Sequence, residues 1–551
     1  MKTLNWRHYV ALALLTFGLF LPGRMTLPPL DRDEPRYMEA SAQMLETRNF
    51  IDVRFLDQPR YLQPAGIYWL EAGAEALFGG VHARHLAWPY RIPSLIAVTL
   101  AVTLTAYLGA NLFGGPAGLL AGALLAVSTL MTAEGRMATI DTVLLLDILL
   151  IETALLSAFL DRQADRPTRL ATALLYWAAI GCGLMLKGPV VLIPAFGTPL
   201  ALWAVERDKA WWSRLRPAWG WLLSVAIVLP WCVAIDIVSH GHFFSRAVGT
   251  NFLGKIGHGQ QAHGMLPGYY LLVFGLSFWP GSLFAVLALP AIWQHRRDAR
   301  VRFLLCWILP HWLVFEFIAT KLPHYVLPTY PAIAMLAAAF LTAWPVHKPL
   351  ARWARWLMTT YAIIWCVIGV AFCGAGVCLL WQLEHHVTPG AVIATCGALP
   401  LMALAIRLLM RGERLHGAVS AVAAAVVIHA GLFIAVIPAL DTIRLAPRAA
   451  ALFDDYRPCA ESRLISVSYS EPSLAFLAGA STRFLGIDAA ADLMGKDGEC
   501  TLVLVDRRDE SAFRAAMQQH GRNIVEYGRV AGLNYSNGHK LDLGLFAGVM
   551  P

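Results

Sequence analysis

From residue 8 to Pro438 the chain returns again and again to apolar runs of about 17 to 25 residues, each long enough to cross roughly 30 Å of hydrocarbon as a helix. Thirteen such runs are predicted, over 8–25, 87–110, 116–132, 138–159, 172–186, 188–205, 217–238, 268–293, 301–318, 326–343, 356–381, 390–409 and 417–438. The bilayer is therefore the main solvent of this chain. Composition agrees: 58% of the residues are hydrophobic, 15% are charged and the mean hydropathy is +0.56, which excludes an ordinary soluble domain. Lys2 and Arg7 precede the first run as in a signal peptide, but no small-residue cleavage pattern follows Leu21, so the expectation is an uncleaved anchor.

Loop charge orients the spans, because cytoplasmic loops are rich in Lys and Arg. One alternating set of loops holds seventeen basic residues, among them Arg162, Arg207, Arg296, Arg352 and Arg407. The opposite set holds five: Arg136, Lys187, Arg246, Lys255 and Lys321. The N-terminus is thus expected in the cytoplasm of a bacterial inner (plasma) membrane, with 26–86 and the tail after 440 in the periplasm. Topology absorbs most of the net charge of +8, so no nucleic-acid partner is needed to explain it.

The expected organisation is a membrane domain, 1–440, followed by a small external domain, 441–551. Within the loop 26–86, Tyr37, Met38, Ala42 and Leu45 recur at helical spacing, and Ile67, Leu70, Ala74 and Leu77 do so again, which suits helices lying on the membrane surface. In the tail, strand-like runs at 464–468 and 501–505, each followed by a helical stretch, predict a small α/β domain without a phosphate-binding glycine loop. Its two cysteines, Cys459 and Cys500, would face an oxidising compartment, where a bond is permitted; the sequence leaves their pairing open. Trp211, Trp212 and Trp279 fall at span ends and read as interface anchors.

The densest chemical signal is Asp31, Arg32, Asp33, Glu34, Pro35, Arg36, Tyr37, directly after the first span. Taken alone it reads as a solvated acidic cap on a surface helix. However, other ionisable residues collect at the same membrane boundary: Glu134, Arg136 and Asp141, then Lys187 in a tight turn, then Lys321. Charges at that depth need partners or a polar cavity. A single cavity holding carboxylates and cations at head-group level would suit a lipid phosphate, although each cation alone could equally snorkel to the interface.

Asp33 and Glu34 with Arg36 and Tyr37, the stretch Gln63 to Trp69, the segment Arg136 to Asp141, the turn Lys187, Gly188, Pro189, and the run Lys321 to Pro328 with His324 and Tyr325 inside it occur in one order. In that order they resemble the motifs of the protein mannosyltransferase and aminoarabinose (lipid A) transferase family. The resemblance implies a GT-C fold and an inverting glycosyltransferase that uses a polyprenyl-phosphate-linked sugar donor. It implies a lipid A or other cell-envelope glycan acceptor among surrounding membrane lipids, and matches Asp33 to an essential carboxylate and Asp141 to a second. Expected substrate contacts are Glu34, Arg36, Tyr37, Arg60, Gln63, Arg136, Lys187, Lys321 and Tyr325. Cations should matter most, because the leaving group is a phosphate.

The chain departs from the aminoarabinose transferases at one place. Where they carry Glu-Lys-Pro it has Leu62, Gln63, Pro64, so a phosphate-contacting lysine and an acidic metal ligand are both missing; Arg60 could substitute for the lysine. A divalent metal enters only through His240, His242, His258 and His263, whose spacing matches no strong site. The alternatives are a transporter or flippase of lipid-linked intermediates, which usually shows paired repeats, and a protein O-glycosyltransferase of the same fold.

Overall fold

The computed structural model describes residues 4–80, 83–247, 249, 254, 265–344, 351–496 and 500–549. Each of the thirteen apolar runs carries helix. Among the described residues, eight helices are long and apolar enough to cross a membrane, or nine if Tyr269–Ser277 and Gly281–Gln294, bent by 120°, make one span. The difference from thirteen has local causes. Helix Trp6–Phe20 has 15 residues and Gly115–Ala126 has 12, both short for a full crossing. Helix Ala299–Phe317 carries Arg300, Arg302 and Glu316.

The stretch Leu170–Glu206 passes as one span of 37 residues, yet it folds back on itself. The Tyr176 hydroxyl donates to the Ala195 carbonyl at 2.7 Å, across 19 positions that a straight helix would separate by about 28 Å. The reversal falls at Lys187, Gly188 and Pro189, where Gly188 takes φ +66°, a conformation glycine adopts at little cost. Lys187 is thereby left at the tip of a hairpin. Elsewhere helices approach closely over small residues: a Cβ on Gly118 would lie 2.3 Å from the Ala106 carbonyl oxygen. The chain is a multi-pass helical membrane protein.

The two helices expected in the first long loop are present as Glu34–Thr47 and Gly66–Phe78. The second is inverted relative to a soluble amphipathic helix. Its buried face includes Glu71 and Glu75, while Leu70, Leu77 and Phe78 point outward. An apolar outer face fits a helix lying against lipid. A two-residue hairpin, β1 (Arg54–Phe55) and β2 (Gln58–Pro59), separates the two helices.

The C-terminal segment forms a five-stranded mixed sheet in the order β4-β3-β5-β7-β6, with β3 (Arg463–Ser466), β4 (Arg483–Phe484), β5 (Thr501–Asp506), β6 (Asn523–Asn534) and β7 (His539–Val549). β3 runs parallel to β4 and β5; β7 runs antiparallel to β5 and β6. Both expected strands and their helices are there, joined by the long β6–β7 hairpin that the sequence reading did not include. Cys459 and Cys500 are disulfide-bonded, with Cα atoms 5.5 Å apart. One expectation fails: Trp211 and Trp279 are 2% and 0% exposed and pack in the helical core, not at the lipid interface.

Candidate functional site

Three helix ends, the side of a fourth helix and one turn meet around a cavity of about 280 Å³. Asp141 opens helix Asp141–Gln163, Lys187 ends helix Leu170–Lys187, Trp231 lies in the second half of Pro217–Ser239, Phe315 near the end of Ala299–Phe317, and Tyr325 lies in the turn after Pro323. Gln63 and Pro64 complete the wall from the surface loop. The lining is chiefly apolar, with Leu144 and Ile148 on successive turns of the helix that Asp141 opens, and Val228 and Ile318 on neighbouring elements. A slot with cations and carboxylates at one end and aliphatic walls at the other suits an amphiphile with an anionic head.

Lys187 Nζ donates to Asp141 Oδ1 at 2.6 Å and lies 5.6 Å from the Tyr325 ring centre. His324 faces carboxylates with both ring nitrogens, Nδ1 at 3.4 Å from Glu134 Oε1 and Nε2 at 3.8 Å from Asp141 Oδ2. Thr139 Oγ1 donates to Glu134 Oε2 at 3.0 Å and fixes that carboxylate. Glu134 and His324 are thus parts of the site that sequence reasoning left out of its set.

The surface loop adds a second group. The Tyr37 hydroxyl donates to Gln63 Oε1 at 3.2 Å, Gln63 Nε2 donates to the Tyr68 hydroxyl at 3.2 Å, and Arg60 Nε donates to the same hydroxyl at 2.9 Å. The Arg60 guanidinium lies 5.2 Å from the Tyr37 ring centre and, among the described residues, pairs with no carboxylate. Burial, reinforced by the neighbouring charge of Arg60, pulls the Arg36 guanidinium below its ordinary pKa. These two adjacent cations, partly offset by Asp31, Asp33 and Glu471, can attract an anion. Asp33 is exposed at the start of helix Glu34–Thr47, and its charge acts on Arg36, Arg60 and Tyr325. The charges of both Asp33 and Asp141 reach Tyr37, whose hydroxyl donates to the cavity-lining Gln63.

Three expected substrate contacts lie elsewhere. Glu34 is fully buried: it takes Arg91 Nε at 2.7 Å and Nη2 at 2.9 Å, and the amides of Leu30 and Ala138 at 2.8 Å each. It is a structural anchor, since its four donors fill its acceptor capacity. Arg136 donates to the carbonyls of Pro22, Thr132 and Leu19 between the rings of Phe20 and Phe433, clamping the end of the first helix. Lys321 donates to the carbonyls of Phe315, Glu316 and Ile318, capping helix Ala299–Phe317. Arg136 and Lys321 satisfy carbonyls that a helix end leaves open, and Glu34 satisfies two loop amides and the Arg91 guanidinium, demands invisible in a charge pattern.

His240 and His242 are exposed and belong to no ligand cluster among the described residues, His258 and His263 lie outside those residues, and position 62 is leucine. The metal site implied by the resemblance is therefore not built by the described residues. Among them one cluster, Glu134, Asp141 and His324, brings one potential ligand atom each within 4.8 Å of the others. Lys187 already occupies one Asp141 oxygen.

A family described as dolichyl-phosphate-mannose-protein mannosyltransferase matches residues 62–234. Over almost its whole length the chain has the GT-C fold: ArnT from Cupriavidus metallidurans bound to undecaprenyl phosphate superposes with a TM-score of 0.74, covering 98% of this chain and 97% of that one at 17% identity. The apo form of that protein gives 0.71. By sequence, the chain is 30% identical over 343 residues to an undecaprenyl phosphate-alpha-4-amino-4-deoxy-L-arabinose arabinosyl transferase of Pseudomonas aeruginosa, covering 60% of this chain and 59% of the relative. A transferase of the same description from Pectobacterium carotovorum is 28% identical, covering 69% and 66%. The chain thus matches about three fifths of the Pseudomonas relative's length. The family resemblance drawn from the ordered motifs is borne out.

Proposed function

We propose that this protein is an inverting glycosyltransferase that moves a sugar from a polyprenyl-phosphate carrier to lipid A or another envelope glycan. The reaction occurs at the periplasmic face of the inner membrane, with the N-terminus cytoplasmic and the sheet domain of 441–551 outside. The observation that carries this reading is the Asp141–Lys187 pair at the charged end of an apolar-walled cavity. Support comes from the loop-charge asymmetry and from the relatives, whose names specify an undecaprenyl-phosphate donor.

In this reading the carrier phosphate lies against Lys187, with Arg60 and Arg36 on the loop side, and the isoprenoid runs along Ile148, Val228 and Ile318. An acceptor oxygen attacks the anomeric carbon from the face opposite the phosphate. The carbon–oxygen bond to the phosphate breaks, its electron pair stays on the phosphate, and the cations offset the charge that appears there. Where the acceptor is a hydroxyl, Asp33 takes its proton, a role worth roughly 10²- to 10⁴-fold. Where the acceptor is itself a phosphate, no base is required and Asp33 orients it. Asp141 holds the Lys187 ammonium in place.

Mass spectrometry of lipid A, other envelope glycans and envelope proteins from a deletion strain, with and without complementation, tests this. One glycan species should lose a sugar and regain it on complementation. An unchanged envelope would refute the reading, and a sugar lost from proteins alone would move the acceptor to protein hydroxyls.

A further inference from the structure

We propose that the C-terminal domain is a working part of the transfer site: Ser473 and Tyr535 grip Asp31 and thereby set the position of Asp33, two residues further on. This inference rests on the transferase reading. Among the described residues the Asp33 side chain makes no capping or other hydrogen bond of its own, so only its backbone neighbours place it. Downstream it is anchored by the buried Glu34. Upstream the anchor comes from the tail.

The contacts are specific and cross some 440 to 500 positions of sequence. The Ser473 amide donates to Asp31 Oδ1 at 2.9 Å and its hydroxyl donates to Oδ2 at 2.5 Å. The Asp31 amide donates to the Tyr535 hydroxyl at 2.7 Å. Arg32 lies 3.8 Å from Glu471, which in turn accepts from Asn534 Nδ2 at 2.9 Å. Beneath these polar contacts Phe476, fully buried, packs with Met38, Ala42, Tyr90 and Ala138, so the tail docks on the helix that begins at Glu34. An apolar contact holds the domains together, while the polar groups determine where residues 31–33 lie. A displacement of about 1 Å in a reacting group can cost on the order of 10²-fold in rate, so such a clasp acts on turnover.

Ser473 and Tyr535 are positioning residues, and they make the inference testable without dismantling the interface. Ser473→Ala and Tyr535→Phe each remove one hydroxyl and leave Phe476 in place. In the full-length protein in detergent, the double variant should speed hydrogen exchange of the 30–37 backbone by roughly 10-fold or more, with the helix Asp141–Gln163 unchanged. Undecaprenyl phosphate, the binding probe, should bind within about twofold of wild type, because Lys187 and Arg60 are untouched. Sugar transfer in membranes should fall by about 10-fold or more. Asp31→Ala should reproduce the defect, and Asp31→Asn, which keeps an acceptor for the Ser473 amide, should recover most of it. Unchanged exchange at 30–37 overturns the inference, as does full transfer despite faster exchange. Wild-type membranes that transfer no sugar would instead defeat the proposed function, with the exchange result still reporting on the clasp.

Discussion

The reassignment of Glu34 from substrate contact to anchor makes a sharp expectation. Glu34→Gln keeps the shape but removes the charge opposite Arg91, a pair with both side chains at 0% exposure. Arg91 retains the carbonyls of Arg24, Leu27 and Pro28, so it keeps part of its hydrogen bonding but loses its counter-ion. Breaking a buried pair by removing one partner costs about 3 to 5 kcal/mol. The side-chain amide that replaces the carboxylate can still accept from Leu30 or Ala138 but cannot serve all four donors, which places the cost at the lower end, about 3 kcal/mol. Thermal unfolding in detergent, followed by tryptophan fluorescence, should show a clear loss of stability. Arg91→Gln should lose a similar amount, and the double variant should lose much less than the sum, with a coupling of about 1 to 3 kcal/mol. A Glu34→Gln protein of wild-type stability that only binds undecaprenyl phosphate poorly would refute this and return Glu34 to the substrate.

Lys187→Met should weaken undecaprenyl phosphate binding by roughly 10- to 100-fold, the worth of a charge-assisted hydrogen bond of about 1.5 to 3 kcal/mol, whereas Lys321→Met should lower stability and leave affinity alone; titration of both variants checks this. Cys459→Ser with Cys500→Ser opens a bridge across a separation of 41 residues, and should cost the sheet domain up to about 4 kcal/mol on chain-entropy grounds, visible as faster proteolysis of residues 441–551. Burial pushes the Asp31 carboxyl up to about 7, against the hydrogen bonds from Ser473, with Glu471 raising it further, Arg36 opposing, and Tyr469 and Tyr535 also facing it. The docked state therefore keeps a proton that the free chain releases near pH 4, so tail docking should be tightest at low pH and weaken as pH rises to about 7, then level off. Exchange of residues 472–478, corrected for intrinsic rates, should follow that trend in wild type and lose it in Asp31→Asn.

Much of the fold was legible because hydrophobic runs register the bilayer directly: each expected run carries helix, and Lys187, Asp141, Gln63 and Tyr325 came from ordered motifs into one cavity. What sequence could not show is which backbone groups lack partners. Arg136 and Lys321 look like site cations by position, yet the open carbonyls of Leu19 and Glu316 claim them. Glu134, noted as one of the charges at the membrane boundary, and His324 were left out of the expected site residues for a different reason. They lie on separate elements almost two hundred positions apart, and no spacing rule joins them, although His324 stood inside a motif already noted. For the β6–β7 hairpin a signal was present: Asn537-Gly538, at its turn, is a strong hairpin marker. Burial of Trp211 and Trp279 follows from packing among helices, which interface statistics for tryptophan do not encode.

The most direct test uses purified protein in vesicles, given an undecaprenyl-phosphate-linked sugar and the acceptor that the deletion strain identifies. Wild-type protein should release carrier phosphate one for one with glycosylated acceptor and invert the anomeric configuration. Asp33→Asn, folded and with undecaprenyl phosphate affinity intact, should lose the reaction. Transfer at the wild-type rate by Asp33→Asn, or glycosylation without consumption of the carrier-linked sugar, would contradict the mechanism.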